Sequence, residues 1–400
     1  MSDPILLTHL TAATMTNHIS GYGLLEDAGV AIEAGQISWV GRMQDCPHSF
    51  TKLPTHDCGG RLVTPALIDC HTHIVHGGNR AQEFEMRLEG ASYEDIARAG
   101  GGIASTVKAT HETQEADLLI AALRRVDTLI AEGVATIEVK SGYGLDHDNE
   151  LKMLRVARAI ARARPIHVCT SFLGAHAVPT GANADNYIDE VCIPTLKAAH
   201  AEGLIDVVDG FCEGIAFNAD QMRRVFETAK ALGLPMKLHA EQLSNGGGTA
   251  LAAEFGALSA DHLEYANEAD VRALAKSGSI AVILPGAFYA IHEKQKPPID
   301  TFRKHGVPMA VATDWNPGSS PLGSILLAAN MACTLFRMTP SEALAGITRN
   351  AARALGLSDR GTLAEGQRAD LAIWDVNVPA ELSYGIGINR LQKRIFGGVI

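Results

Sequence analysis

The sequence predicts an α/β protein: a (β/α)8 TIM barrel with a small β-sandwich domain built from both termini. Between residues 61 and 356, eight short apolar runs alternate with segments whose apolar residues recur at helical spacing. The eight runs cover residues 63–69, 135–139, 168–172, 205–209, 236–239, 258–262, 280–284 and 309–314. Strands that alternate with helices form parallel β-α-β units, and eight such units close naturally into a barrel.

The two ends of the chain have a different pattern. Residues 1–60 contain short strand-like runs, two of which flank a hairpin turn within residues 30–40. Residues 357–400 also contain short strand-like runs and turns, with a turn-rich segment that leads into the run 369–374. Because both ends are β-rich around a different middle, we expect them to form one domain beside a barrel of residues 61–356.

Composition excludes several classes of protein. Hydrophobic residues make up 46% of the 400 residues and charged residues 20%, which is enough apolar material for a packed core and rules out a disordered chain. The 34 basic residues are outnumbered by 45 acidic ones, for a net charge of −11 without a basic stripe. Such a chain is a poor partner for nucleic acid or for an anionic membrane.

The cysteines and the N-terminal segment predict a cytoplasmic location. The seven cysteines are scattered and never form C-x-x-C, which is typical of thiols in a reducing compartment. The first 20 residues lack the basic region and the continuous apolar stretch of an export signal. No run of about 18 uncharged apolar residues predicts a membrane span.

Polar residues follow the predicted barrel strands at the end where barrel enzymes build their sites. These residues are His71 and His73 after the first strand, His176 after the third, His239 at the end of the fifth, His262 at the end of the sixth and Asp314 at the end of the eighth. The rival fold, an open doubly wound sheet, would need a Gly-rich phosphate turn after its first strand, where this chain has His71 and His73. An H-x-H pair on one strand edge points both imidazoles to the same side.

A metal site is the stronger interpretation of this pattern. An H-x-H pair alone is a weak signal, since a single histidine at a strand end is more often structural. Histidine or aspartate at this many strand ends is difficult to obtain by chance from 16 histidines in 400 residues. The pair, one further histidine and one carboxylate are a set that holds a divalent metal and leaves a position for water.

Longer sequence blocks carry a resemblance to a known family. They are HGGNRAQEFEMRLEGASYEDIARAGGGI (76–103), EVKSGYGL (138–145), SFLGAHAVP (171–179), FCEGIAF (211–217) and TDWNPGSSP (313–321). With these blocks the chain resembles, nearly end to end, the branch of the amidohydrolase superfamily that opens an imidazolone ring in histidine degradation. The resemblance implies metal-dependent hydrolysis of the cyclic amide C–N bond of 4-imidazolone-5-propanoate to N-formimino-L-glutamate.

The resemblance also implies a role for each matching residue. The metal ligands would be His71, His73, His239 and Asp314. The substrate would be held by Arg80, Tyr143, His176, Gln242, Asn316, Gly318 and Ser319. His262 would lie beside the attacking water and, with Asp314, act catalytically by orienting that water and taking its proton. A small substrate with a carboxylate tail suits the two-pronged guanidinium of Arg80.

Several alternatives stay open at this point. His176 would either stabilise the developing oxyanion or hold the ring. The turn at residues 316–319 would either cap a helix that begins near Pro321 or present backbone N–H groups to a carboxylate. The metal would be zinc or iron, divalent or trivalent, since imidazole suits both elements. By analogy with related barrel enzymes, the chain is expected to be a homodimer.

Two departures from the superfamily matter. Relatives with two metals carry a carboxylated lysine after the fourth strand, and residues 207–213 contain no lysine, so we expect one metal per chain. Deaminase relatives carry a proton-shuttling glutamate three residues after the fifth-strand histidine, where this chain has Gln242. Glutamine cannot relay a proton. The acid for the leaving nitrogen would then be His262, Asp314 or solvent.

Two other functions compete with this hypothesis. The first is a mononuclear aminohydrolase acting on a purine or pyrimidine, against which Gln242 argues. The second is a catalytically inactive binding protein on the same barrel. Such proteins usually lose metal ligands, whereas this chain keeps the full set.

Overall fold

The computed structural model describes residues 3–16, 21–91 and 101–400. Strands from both ends of the chain form one six-stranded sheet, the terminal sheet, in the order β14-β13-β4-β1-β2-β3. Its strands are β1 (Ile5–Ala13), β2 (Leu24–Glu33), β3 (Gln36–Arg42), β4 (Thr55–Pro65), β13 (Leu371–Trp374) and β14 (Leu391–Ile395). The predicted β domain drawn from both termini is therefore confirmed as a sheet.

The predicted hairpin joins β2 to β3. The two strands pair in antiparallel fashion from Glu33 and Gln36 outwards, and the turn residues Ala34 and Gly35 have φ angles of +50° and +80°. Positive φ at both turn positions gives the backbone twist that matches right-handed strands. A glycine takes this conformation without steric cost, which explains Gly35.

The middle of the chain forms an eight-stranded parallel sheet in sequence order from β5 to β12. Its strands are β5 (Leu67–Asp69), β6 (Val134–Lys140), β7 (His167–Ala175), β8 (Val207–Cys212), β9 (Lys237–Ala240), β10 (Ser259–His262), β11 (Ile280–Ile283) and β12 (Met309–Val311). The barrel closes just beyond the last strand, where Asp314 donates its backbone N–H to His71 at 3.0 Å and His73 donates to Trp315 at 2.9 Å. The predicted TIM barrel is confirmed, and each predicted run contains or overlaps a strand.

The α-helices follow the barrel strands and pack on their outer side, except for the short helix after β13 of the terminal sheet. In the described residues they are Ala81–Leu88, Ile103–Glu112, Glu115–Ala131, His147–Ala163, Ala184–Tyr187, Ile193–Ala201, Ala219–Ala231, Gly248–Glu254, Glu268–Ser277, Pro285–Ala290, Ile299–His305, Ile325–Phe336, Pro340–Gly346, Arg349–Ala354 and Glu381–Tyr384. Among the described residues, no helix combines the length and the apolar composition needed to cross a membrane.

One predicted strand proves to be two. The run 63–69 was expected to be a single barrel strand, but β4 ends at Pro65 and β5 begins at Leu67. The backbone partners change here: Ala66 donates to Asp370 beside the terminal sheet, and Leu67 donates to Gly133 beside the barrel. The chain thus passes directly from one sheet to the other, and β4 crosses the domain boundary predicted at residue 60. The three-part division at 1–60, 61–356 and 357–400 stays a prediction.

Candidate active site

The four predicted metal ligands meet at the carboxyl end of the barrel. His71 and His73 follow β5, His239 lies within β9, and Asp314 follows β12; all four are buried. The Nε2 atom of His73 lies 3.2 Å from Nε2 of His71 and 3.4 Å from Nε2 of His239. An Oδ1 atom of Asp314 lies 3.3 Å from Nε2 of His73 and 3.4 Å from Nε2 of His71. The structure therefore brings together residues that are up to 243 positions apart in the chain.

These distances fit a bound metal ion. A tetrahedral ion with bonds of about 2.0–2.1 Å holds its ligand atoms about 3.3–3.4 Å apart. Nδ1 of His71 donates to Asp261 at 2.6 Å, and Nδ1 of His239 donates to Asp209 at 3.2 Å. Each Nε2 of these two rings is then a lone pair, and it lies 3.2–3.4 Å from Nε2 of His73. A cation bound by these nitrogens would use the lone pairs, and such carboxylate–histidine pairs are usual behind metal ligands.

The ring charges are consistent with this interpretation. Burial, followed by the nearby Lys140 ammonium, holds the pKa of His71 well below its usual value. Burial and the neighbouring His239 likewise lower the pKa of His73. Neutral imidazole is the form that binds metals. The site is thus prepared for a cation at neutral pH, and this chemistry supports a metal cofactor.

A buried network of charges, which we call the core ion network, supports the two carboxylates behind the histidines. It consists of Glu138, Lys140, Asp209, Lys237 and Asp261, all at or near 0% exposure inside the barrel. Lys140 Nζ lies 2.6 Å from Asp209 and 2.9 Å from Glu138. Lys237 Nζ lies 2.8 Å from Glu138 and 3.4 Å from Asp261. Each lysine therefore holds one of the carboxylates that accept from a predicted metal ligand.

Sequence reasoning missed the core ion network. Lys140 is the last residue of β6, the second barrel strand. Barrel interiors are usually filled by branched apolar side chains, so charged residues here are informative. Glu138 and Lys140, like Lys237 and His239, are two positions apart within a buried strand. Period-two spacing puts each pair on the same face of its strand, which was the signal available in the sequence.

Replacement of Asp261 by alanine is expected to weaken metal binding about 10- to 100-fold, because the ring of His71 loses the partner that fixes its tautomer and orientation. The measurement is the metal content per chain after equilibration with a series of chelator concentrations. Asp270→Ala is a matched control. Asp270 is also buried, but it accepts from Asn267 N at 2.9 Å and from Asn245 Nδ2 at 2.7 Å in a helix cap. Equal affinities for the two variants would contradict the assigned role.

A cavity opens above the four ligands. It is lined by His73, Arg80, Ile103, Tyr143, His176, Phe211, His239, Gln242, His262, Asp314, Asn316 and Ser319. Six of the seven residues predicted to hold substrate are in this lining, and the seventh, Gly318, lies directly under Arg80. Sequence reasoning missed Ile103 and Phe211, which supply apolar wall and carry no chemical signal of their own. Of the longest sequence block, residues 92–100 lie outside the described residues.

Arg80 is held at the cavity by two contacts. Its Nε donates to Thr106 Oγ1 at 2.8 Å. Its guanidinium lies against Gly318, where an added Cβ atom would be only 2.2 Å from Nη1. A side chain at position 318 would push the tip of the arginine aside. The contribution of Gly318 is therefore the space that it leaves for Arg80.

The turn at residues 316–320 is closed by its own asparagine. Asn316 Oδ1 accepts from the backbone N–H groups of Gly318 and Ser319, each at 2.8 Å. These N–H groups are therefore already paired within the turn. The expectation of a helix beginning near Pro321 was wrong, because the helix begins at Ile325 with Ser324 as its N-cap. Asn316 itself lines the cavity.

His262 lies beside the predicted ligands. Its ring centre is 5.5 Å from that of His239 and 5.9 Å from that of His71. Burial lowers the pKa of His262 to about 3, so the ring is neutral. Its Nδ1 atom is buried and has no hydrogen-bond partner among the described residues. Its φ angle of +84° is strained for a side-chain-bearing residue, and such strain is common at functional sites.

Glu241 and Gln242 follow the strand that contains His239, and only one of them lines the cavity. Gln242 lines the cavity. Glu241 turns away, and its carboxylate accepts from Gly248 N and Thr249 N, each at 2.8 Å, at the start of the next helix. The only carboxylate between His239 and Gln242 is therefore used structurally, and it does not replace the missing proton shuttle.

Acidification is expected to destabilise the fold through buried histidines such as His76. Burial and then the Arg125 guanidinium lower the pKa of His76 from 6.5 to about 3. Between these values the unfolded chain binds a proton that the folded chain does not, so the free energy of unfolding falls as pH falls, by about 1.4 kcal/mol per pH unit per histidine. Urea unfolding from pH 7 to pH 5 measures this slope. His76→Asn should make the slope shallower, and parallel curves for variant and wild type would contradict the assignment.

Known proteins resemble this chain over nearly its whole length. The model of the amidohydrolase family matches residues 62–398. The imidazolonepropionase of Ruegeria pomeroyi is 66% identical over 99% of both chains. That of Paracoccus denitrificans is 61% identical over 98% of this chain and 99% of its own length.

Solved structures share the fold at much lower identity. An ochratoxinase from A. niger superposes with a TM-score of 0.72 at 17% identity, over 99% of this chain and 95% of its own. An atrazine chlorohydrolase from Arthrobacter aurescens has a TM-score of 0.71 at 16% identity, over 99% and 94%. At such identities the likeness concerns the fold. The family match and the full-length relatives go further: this chain belongs to the amidohydrolase family and, within it, to the imidazolonepropionases.

Proposed function

We propose that this chain hydrolyses the cyclic amide C–N bond of 4-imidazolone-5-propanoate to give N-formimino-L-glutamate, a reaction of histidine degradation. The observation that carries the proposal is the convergence of the four ligand atoms, each 3.2–3.4 Å from a neighbour, beneath a cavity that contains Arg80. The high identity to imidazolonepropionases over the whole chain supports the same substrate.

In this proposal His71, His73, His239 and Asp314 hold one metal ion per chain, zinc or iron. When bound, such an ion lowers the pKa of its water to about 7 and polarises the carbonyl that is attacked. Zinc and iron both accept imidazole and carboxylate ligands. The donor set, three imidazoles and one carboxylate, supports either element, and elemental analysis of the purified protein distinguishes them.

The side chains around the cavity bind the substrate and transfer protons. Arg80 binds the propionate tail through paired charged hydrogen bonds. Tyr143, Asn316 and Ser319 surround the ring. Neutral His262 and the Asp314 carboxylate orient the attacking water and take its proton. After attack, the ring C–N bond breaks and the nitrogen takes a proton from His262, Asp314 or solvent.

The direct test is the loss of imidazolone absorbance when purified, metal-loaded protein is mixed with 4-imidazolone-5-propanoate. Steady turnover is the expected result, and no turnover by metal-replete protein would end the proposal. Ammonia release from purines or pyrimidines would support the aminohydrolase alternative. Protein that contains no metal after purification in metal-containing medium would support the inactive binding protein. A cytoplasmic homodimer without membrane or nucleic-acid partners stays part of the proposal.

A further inference from the structure

The loop that carries Tyr143 is built around one buried carboxylate. This loop, residues 141–145, joins β6 to the helix His147–Ala163. Glu150, in the first turn of that helix, is 1% exposed and points back into the loop. Its carboxylate accepts from Gly142 N at 3.0 Å, Gly144 N at 2.7 Å and Leu145 N at 2.9 Å. One side chain thus pairs three backbone N–H groups that would otherwise be buried without partners.

The loop approaches its neighbours closely at two glycines. A Cβ atom at Gly144 would be 2.3 Å from the backbone nitrogen of Glu150. Gly142 has a φ angle of +106°, and a Cβ atom there would be 2.9 Å from Nδ1 of His176 and 3.0 Å from the Leu173 carbonyl oxygen. The position of the loop relative to His176 is therefore fixed by Glu150 on one side and by close backbone packing on the other.

The position of the loop determines which nitrogen of His176 carries the hydrogen. Its Nδ1 atom lies 2.9 Å from the Gly142 carbonyl oxygen, and a carbonyl oxygen only accepts hydrogen bonds, so Nδ1 carries the hydrogen. Among the described residues, no carboxylate lies within salt-bridge distance of the ring to hold a second proton, so Nδ1 carries the only hydrogen. Nε2 is then a lone pair. The ring lines the cavity and stacks on His73 at 5.3 Å between centres.

We propose that Glu150 is a positioning residue: through the Gly142 carbonyl it fixes His176 in the Nδ1–H form, so that Nε2 accepts a hydrogen bond from an N–H of the substrate ring. This inference rests on the proposed function. It selects between the two roles that the sequence left open for His176, because a lone pair cannot donate to an oxyanion. It also makes the site favour rings that present an N–H over N-alkylated ones.

A kinetic test uses Glu150→Ala and Glu150→Gln in the full-length, metal-loaded protein. The alanine variant is expected to raise KM for 4-imidazolone-5-propanoate about tenfold with unchanged metal content. The glutamine variant should have a smaller effect, because its one carbonyl oxygen still accepts from Gly144 and Leu145. Glu132→Ala is the matched control. Glu132 is also largely buried and accepts from Ser324 Oγ at 2.6 Å and Leu326 N at 3.2 Å, but it does not line the cavity.

A double-mutant cycle with His176→Ala separates positioning from general loss of stability. If Glu150 acts through His176, the effects on KM of the two single variants will not add in the double variant. Additive effects, or a rise in KM equal to that of Glu132→Ala, would overturn the proposal.

A spectroscopic test needs no variant and no substrate. Long-range ¹H–¹⁵N correlation on histidine-labelled protein distinguishes the two neutral tautomers, and the His176 signals are assigned by their loss in His176→Ala. The wild type is expected to show Nδ1–H at His176, and Glu150→Gln a weaker preference. A wild-type ring protonated at Nε2 would overturn the inference, even if the alanine variant fails to fold. Failure of the wild type to turn over substrate would instead count against the proposed function.

Discussion

Asp314→Asn is expected to lower kcat for 4-imidazolone-5-propanoate about 10²- to 10⁴-fold. Asparagine keeps the size of the side chain, and its carbonyl oxygen still faces His71 and His73. It cannot accept a proton, however, and it carries no charge to balance a cation. General base catalysis typically contributes this much to rate. Steady-state kinetics on protein with verified metal content measures the effect.

A control variant separates this loss from damage to the fold. Glu241→Gln changes another buried carboxylate close to the site in sequence, one that pairs with Gly248 N and Thr249 N outside the cavity. We expect it to retain most of the wild-type kcat. If Asp314→Asn is as active as Glu241→Gln, Asp314 neither ligates an essential metal nor handles the proton, and the proposed site is wrong.

Arg80→Ala is expected to raise KM about 10- to 100-fold with little change in kcat or in metal content. Loss of a hydrogen bond to a charged group costs about 1.5–3 kcal/mol, and the propionate tail lies away from the bond that breaks. Arg80→Lys should fall between alanine and wild type, because lysine keeps the charge but not the two-pronged geometry. Initial rates over a range of substrate concentrations, with metal analysis of the same samples, give both quantities.

Arg158→Ala is a suitable control for the arginine experiment. Arg158 pairs with Asp206 through two hydrogen bonds of 2.8 Å and does not line the active-site cavity. Its KM should equal that of the wild type. An unchanged KM in Arg80→Ala would show that another group binds the carboxylate, and it would leave the metal site itself unaffected.

Much of the fold and of the candidate ligand set could be predicted from the sequence. Eight apolar runs separated by helical patterns predicted the barrel, since parallel strands place all their carboxyl ends at one rim. Histidines and an aspartate at those ends were therefore expected to meet, although His71 and Asp314 are 243 residues apart. In the structure, Nε2 of His71 and Oδ1 of Asp314 lie 3.4 Å apart, which agrees with that expectation.

Other features depend on contacts between distant segments. The run 63–69 looked like one strand because its apolar pattern is continuous, yet its residues pair with two different sheets. Glu150 lies in an amphipathic helix, and nothing in the local sequence shows that a loop folds back over it. The same holds for Asp209 and Asp261, whose importance comes from the histidines that they face.

The sequence by itself therefore determined the architecture, the rim at which chemistry occurs and the side chains that gather there, because strand and helix periodicities are local properties of the chain. Only the tertiary structure decided the hydrogen-bond partners of those side chains: which nitrogen of His71, His176 or His239 carries its proton, and which buried lysines balance the carboxylates behind them. Protonation inside a protein depends on the groups that lie within a few ångströms in space, and these groups come from separate strands.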